Sequence, residues 1–421
     1  MPVPQLRSLF ITKEVPYPPK GGVSLRNWQN MNILAKYGEV AVFSAANWSP
    51  KRTELPQMDR WVHCNVEQQR SSRENLLRRL WWLFPQQHPD CDWPYSELAA
   101  EKLRQLIHNF QPDLVIIEQV WLYRYLPIVK QFPCRIIIDQ HNVEAHLFAQ
   151  SLSQESHWRS KLKNQLMLSH LKTIEQEFCQ QVDQIWTCSD SDSKLFQQCY
   201  QKIAPTTTVP NGLNLANYHN IHNKTIDLPE DISPNPQTIL YVGLLSYTPN
   251  KEAVELLLEE IFPLLKSRYP DCRLIIVGGN ANTKMKDIAD KNPNIVLTGG
   301  VADVKPYLAA ASVVVVPLRQ GGGTRLKILE AFASLRPVVT TAKGAEGLNA
   351  TNEKHLLIRE SSEAIVEAIG RLWSDEILRQ KLSHAAYELI KAQYSWEAVG
   401  KRLEQKLFSK GAASVKPSSD G

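Results

Sequence analysis

Short runs of aliphatic and β-branched residues alternate with longer amphipathic segments along the whole chain. That pattern predicts parallel sheets covered by helices, an α/β architecture in each half. In the first half strands are expected at Ser8–Thr12, Glu39–Phe43, Leu114–Ile117, Arg135–Asp139, Gln184–Cys188 and Thr206–Val209, with a helix from about Ser24 to Lys36. In the second half they are expected at Thr238–Val242, Arg273–Val277, Ile295–Leu297, Val313–Val316, Val338–Thr341 and Leu356–Ile358. Asn211–Gln237 is rich in Asn, Pro and Asp without periodicity, which reads as a linker. The domains expected are therefore 1–210 and 211–382. A last amphipathic helix follows over 383–409, and 410–421 has the composition of a frayed tail.

Length and composition narrow the class. A chain of 421 residues exceeds one ordinary core, and 43% hydrophobic with 22% charged residues is the balance of a folded protein. The formal charge of +5 is too small to point to nucleic acid. Seven cysteines without a CxxC pair suggest neither a disulfide framework nor a zinc site, and a reducing cytoplasm is the expected compartment. No stretch reaches the roughly 18 apolar residues of a membrane span, so membrane contact is expected to be peripheral. The segment from Arg73 to Trp82 is suited to it, combining Arg73, Arg78 and Arg79 with Leu76, Leu77, Leu80 and Trp81. The same mixture also fits a helix packed on its domain with its arginines solvated.

Three glycine-bearing loops follow expected strands. Gly21 and Gly22 precede the first helix, where they allow close approach of a ligand or simply a tight turn. Gly278 and Gly279 end another strand. After Val316 comes PLRQGGGTRLKILEAFASLRPVVTT, in which Gly321, Gly322, Gly323 and Thr324 open a helix carrying Arg325, Lys327 and Glu330. Glycine amides, a helix N-terminus and two cations favour phosphate, and Glu330 could accept from a ribose diol. An i,i+3 ion pair on a glycine-started helix is the bland alternative.

With VPNGLN at Val209–Asn214, YVG at Tyr241–Gly243, LIIVGG at Leu274–Gly279 and KILEAFASLRPVV at Lys327–Val339, the chain resembles the family-four glycosyltransferases of the GT-B fold over roughly 330 residues. The resemblance implies two facing Rossmann-like domains with a cleft between them, a nucleotide-sugar donor held mainly by the second and an acceptor mainly by the first. It also implies transfer with retention of anomeric configuration, no catalytic metal, work in polysaccharide or glycolipid biosynthesis, and a final helix crossing back to the first domain. By that resemblance Gly21, Gly22, Gly243, Gly278, Gly322, Gly323, Thr324, Arg325, Lys327 and Glu330 bind the donor, while His141, in DQHNVEAH, faces the reacting sugar. Asp139, Asn142 and Glu144 are neighbours without separable roles, and Asn142 or Glu144 could cap the next helix.

Two departures stand out. Many family members carry a second glutamate seven residues before Glu330, where this chain has Gly323. The usual Arg and Lys after the YVG strand are replaced by LLSYTPNKEA, in which Lys251 is at best a displaced equivalent. More of the diphosphate contact is therefore expected from Arg325 and Lys327. A nucleotide-sugar 2-epimerase and a non-catalytic sugar-nucleotide-binding protein are the competing readings. A dehydrogenase is disfavoured because no GxGxxG follows the first strand.

Overall fold

A computed structural model of the chain describes residues 6–19, 21–46, 55–56, 58–67, 81–84, 86–152, 158–230, 232–323 and 325–408. The chain divides into two compact units, described over residues 6–210 and 211–408.

Among the described residues of the first unit, seven parallel strands run β1 (Ser8–Thr12), β2 (Val40–Ala46), β3 (Arg60–Asn65), β4 (Leu114–Glu118), β5 (Arg135–Gln140), β6 (Gln184–Thr187) and β7 (Thr206–Thr208), in sheet order β3-β2-β1-β4-β5-β6-β7. Strands β1, β2 and β4 are buried along their whole length, as continuous apolar runs in a sheet covered on both faces must be. β3 is an edge strand that the hydrophobic pattern does not reveal, because RWVHCN is mostly only partly buried and carries no aliphatic run. The first helix, α1 (Gly22–Leu34), buries Arg26, Asn27, Gln29 and Asn30 along with Trp28, Met31, Ile33 and Leu34. It is a helix with a polar inner stripe. Helix α2 (Glu144–Ser151) follows β5, and α3 (Trp158–Gln181) packs beside it.

The second unit holds β8 (Thr238–Val242), β9 (Arg273–Val277), β10 (Ile295–Gly299), β11 (Val313–Val316), β12 (Val338–Thr340) and β13 (Leu357–Ile358), parallel and in the order β10-β9-β8-β11-β12-β13. Counted from β8, this is the 3-2-1-4-5-6 order of a doubly wound nucleotide-binding sheet, whose order reverses between β8 and β11. Ligands of such sheets bind beyond the carboxyl ends of the strands at that reversal. In the first unit the equivalent point lies between β1 and β4. The helices used below are α4 (Thr248–Leu256), α5 (Leu326–Ala333), α6 (Glu376–Gln393) and α7 (Trp396–Phe408).

The terminal segment expected as one helix is two. α6 ends before Tyr394 and α7 starts after Ser395, because the backbone of Leu213 bonds to both sides of the break: its N–H donates to Tyr394 O (2.8 Å), and its carbonyl accepts from the Trp396 N–H (3.0 Å). The Ser395 hydroxyl then caps α7 by accepting from the Ala398 N–H at 3.1 Å.

Candidate functional site

In the second unit β8, at the reversal, and its neighbour β9 each run directly into glycine. A Cβ on Gly278 would stand 1.9 Å from the carbonyl oxygen of Gly243, so the loops after β8 and β9 touch backbone to backbone. The Gly243 N–H donates to Val277 O and the Gly278 N–H to Gly299 O, both at 2.9 Å. The Gly299–Gly300 pair completes the set, and the LTGG that ends β10 was the overlooked signal.

The loop between β11 and α5 turns through Gly321 and Gly323 with φ of 104° and 74°, a left-handed region that side-chain-bearing residues avoid. Gly322 lies between them, and Thr324 is outside the described residues. Arg325, expected to reach diphosphate, is buried and turned onto its own loop. Its guanidinium donates to Gly322 O (2.6 Å), Gly321 O (2.9 Å) and Lys343 O (3.2 Å). It therefore shapes the cradle by satisfying carbonyls that a tight glycine turn leaves pointing inward.

Lys327, the second residue of α5, is the cation at the strand ends. Its Nζ donates to Asn250 Oδ1 (2.8 Å) and Tyr241 Oη (2.9 Å) and lies 4.2 Å from the Tyr241 ring centroid. The Tyr241 hydroxyl also donates to Asn250 Oδ1 (2.8 Å), and Asn250 Nδ2 donates to Leu244 O (2.9 Å). A Cβ on Gly243 would come within 2.8 Å of the ammonium, so Lys327 occupies the space just past β8 where the resemblance expects a cation from another loop. Lys251 is half exposed and pairs with Glu255 at 3.9 Å. Burial, with Arg325 adding repulsion, lowers the Lys327 ammonium to about 7. Burial raises Glu330 to about 7 as well, against the pull of Lys327, and Tyr218 hydrogen-bonds its carboxyl. Asn250 and Tyr218 carry no motif signal of their own, whereas Tyr241 opens the YVG motif.

In the first unit the polar stripe of α1 meets the carboxyl ends of β4 and β5. Arg26 forks onto Asp139, with Nε 2.9 Å from both carboxylate oxygens and Nη2 2.5 Å from Oδ1, and it donates through Nη1 to Val209 O at 2.5 Å. Asn30 Nδ2 adds a bond to Asp139 Oδ2 at 3.2 Å. Burial alone would raise Asp139, yet Arg26 and His141 together outweigh it and hold the carboxyl down to about 2. Glu118, register partner of Asp139 on β4, is the opposite case. Its Oε2 accepts from Asn27 Nδ2 (2.8 Å) and the Lys13 N–H (3.1 Å), but no cation forms an ion pair with it among the described residues, and burial with the nearby Glu14 pushes it up to about 8.

His141 follows β5 and is buried, its Nε2 3.8 Å from Asp139 Oδ2 and without a hydrogen-bond partner among the described residues. Burial lowers its pKa despite Asp139, so it is a neutral imidazole near pH 7. The His141 loop is fixed from behind by Glu175 of α3. This buried carboxylate accepts from the N–H groups of Glu144 (2.9 Å) and Ala145 (3.1 Å) at the start of α2, and from the Tyr200 hydroxyl. Glu144 therefore does not cap that helix with its side chain; it accepts instead from Asn142 Nδ2 (3.3 Å) and Gln119 Nε2 (3.4 Å). Gly21 and Gly22 open α1, Gly21 in extended backbone with nothing within 4 Å of where its Cβ would stand. Neither conformation nor packing demands glycine there, and the space beside it is open.

Of the Arg73–Trp82 segment, 73–80 lie outside the described residues. Trp81 packs edge-on against His170 of α3 with centroids 5.4 Å apart, while Trp82 and Phe84 are exposed. Among the described residues no helix is long and apolar enough to cross a membrane, and no group of three or more His, Cys, Asp or Glu side chains is placed to hold a metal ion.

Two doubly wound parallel sheets, each with its own strand-order reversal, make up the GT-B fold, and comparison with known proteins agrees. Residues 38–217 match the family described as Glycosyltransferase Family 4, and residues 236–375 match Glycosyl transferases group 1. The chain belongs to these glycosyltransferase families. It is 25% identical over 230 residues to a lipopolysaccharide 1,2-N-acetylglucosaminetransferase of Salmonella typhimurium, a match covering 51% of this chain and 59% of that protein. The chain spans about half the length of the curated relatives it matches. Among solved structures, sucrose-phosphate synthase of Thermosynechococcus elongatus superposes with a TM-score of 0.70 at 18% identity, covering 96% of this chain and 98% of that one. Anabaena HepE in complex with UDP and glucose superposes at 0.62 with 14% identity, covering 95% and 99%. These similarities are similarities of fold.

Proposed function

We propose that the chain is a retaining glycosyltransferase that moves a sugar from a nucleoside-diphosphate sugar to a glycan, lipid-linked or small-molecule acceptor. The observation that carries this reading is the meeting of the Gly321–Gly323 loop, the Gly243 turn and the Lys327 ammonium at the strand-order reversal of the second sheet. Departure of a nucleoside diphosphate builds negative charge, and fixed amide dipoles with a pre-placed cation stabilise it without reorganising. Lys327 and the glycine-loop amides take the diphosphate, Arg325 keeps the loop in shape, and Glu330 accepts from the ribose hydroxyls. By its place just after β5, His141 is assigned to the reacting sugar, with its Nε2 3.8 Å from Asp139 Oδ2. No residue is assigned as a nucleophile, so retention is read as front-face attack guided by the departing phosphate, and the reading uses no metal.

A uridine diphosphate sugar is the first donor to try, since HepE was solved with UDP and glucose. An acceptor at a membrane, reached from the cytoplasmic face, fits the exposed Trp82 and Phe84 and the exposed Leu162 and Leu166 on α3. Incubation of the chain with UDP- and GDP-sugars and a panel of glycan and lipid-linked acceptors, followed by NMR of the product, tests the proposal. A new glycosidic bond with the donor's anomeric configuration is expected. Inversion at C2 without transfer would instead identify an epimerase, and nucleotide binding without turnover a binding protein.

A further inference from the structure

At the amino ends of β11 and β12, opposite the glycine loops, lies a cavity of about 530 Å³. Ser312 and Pro337, the residues just before these two strands, line it, and α6 supplies Arg379, Gln380, Ser383 and His384. Spaced i,i+4, Arg379 with Ser383 and Gln380 with His384 present one face of that helix to the cavity. Leu228, Pro234, Leu335 and Pro337 make an apolar wall.

The electrostatics of this cavity are unbalanced. Its titratable lining groups among the described residues are Arg336, Arg379 and His384, and no carboxylate lines it. Arg336 is largely buried yet pairs with no acid among the described residues: Nη2 donates to Ala309 O at 3.0 Å, and Nε has no partner. Ser383, also buried, leaves its Oγ without a partner. Arg379 donates through Nη1 to Leu372 O at 3.2 Å and reaches Glu376 at 3.8 Å, and His384 uses Nδ1 on Gln380 O at 2.8 Å. A buried guanidinium normally finds an anion, because removing it from water costs several kcal/mol. Burial alone displaces the Arg336 pKa, downward, as expected for a cation with no counter-charge.

We propose that this cavity is a second ligand site, distinct from the donor site, for a small oxyanion carrying an apolar body. The oxyanion sits against Arg336, Arg379 and His384, and the apolar portion lies on the Leu228 and Pro337 wall. Arg336 ends the segment that leaves α5, so one helix of eight residues, roughly 12 Å long, separates this site from the glycine cradle. The site does not depend on the transferase reading.

Isothermal titration of the full chain with phenyl phosphate tests it, with inorganic phosphate as the arm lacking the apolar part. The expected result is saturable binding of phenyl phosphate, tighter than phosphate, weakened at least about tenfold in the Arg379→Gln/His384→Gln double variant and unchanged in Lys327→Met. In the unsubstituted protein, phenyl phosphate should also protect His384 from diethylpyrocarbonate, read by mass spectrometry. No saturable binding, binding lost in Lys327→Met, or His384 modified equally with and without the probe overturns the proposal.

Discussion

Glu118 and Asp139 are neighbouring carboxyls at the same sheet edge, and their surroundings drive them apart: Arg26 keeps one ionised while burial keeps the other protonated. For Glu118 the folded pKa, about 8, lies above the unfolded value. The folded state then binds more protons than the unfolded one between roughly pH 4.5 and 8, and stability falls as pH rises through that window. Glu118→Gln, which cannot ionise, should melt like the parent at pH 4.5 and gain at least about 1 kcal/mol over it at pH 8.5. A pH-independent difference between the two proteins would show that Glu118 does not titrate in this way. His141 belongs to the same edge, with a different readout. His141→Ala should lower kcat by about a hundredfold or more while nucleotide affinity stays within a factor of two or so, because its proposed partner is the reacting sugar. Equal small losses in both would make it structural.

Two helices carry most of the chemistry, and they differ in how well the sequence announces them. α5 follows an all-valine strand and three glycines, so its place and its Lys327 and Glu330 were legible; the use of Arg325 was not, because a side chain folding back onto its own loop leaves no periodic trace. α1 was legible as a helix but not as part of a site. Its buried Arg26, Asn27 and Asn30 look like a solvated face until Glu118 and Asp139 from strands about a hundred residues away come to meet them. Arg26→Met should leave Asp139 buried without its cation and cost about 3–5 kcal/mol in urea unfolding. A loss under 1 kcal/mol would mean that the network relaxes or admits water. For α5, the lowered Lys327 pKa predicts proton-linked binding. At pH 8 the ammonium is roughly nine-tenths deprotonated, and an arriving diphosphate restores the charge. Glu330, near 7, is by then mostly ionised and contributes little. Titrations with nucleoside diphosphate in buffers of different ionisation enthalpy should show uptake of close to one proton, absent in Lys327→Met. Buffer-independent heats would remove Lys327 from the phosphate site.

At the scale of the molecule, two parallel sheets with the same opening order, 3-2-1-4-5-6, place chemistry at the same point in each unit. Interior strands such as Arg273–Val277 were readable to the residue because both faces are covered. The edge strand Arg60–Asn65 was not, since an edge tolerates Trp61, His63 and Asn65 half in water. The break between α6 and α7 was equally hidden, being made by Leu213 from the far end of the second unit's sequence. Sheet topology explains why glycines from three separate strands converge, and the central claim is that this convergence binds a nucleoside diphosphate. Isothermal titration of the parent and Lys327→Met with UDP and GDP addresses it most directly. The account predicts that at least one diphosphate binds the parent and that the variant melts normally but loses about ten- to a hundredfold in affinity. A variant that folds and binds as tightly as the parent, or a parent that binds neither diphosphate, would contradict it.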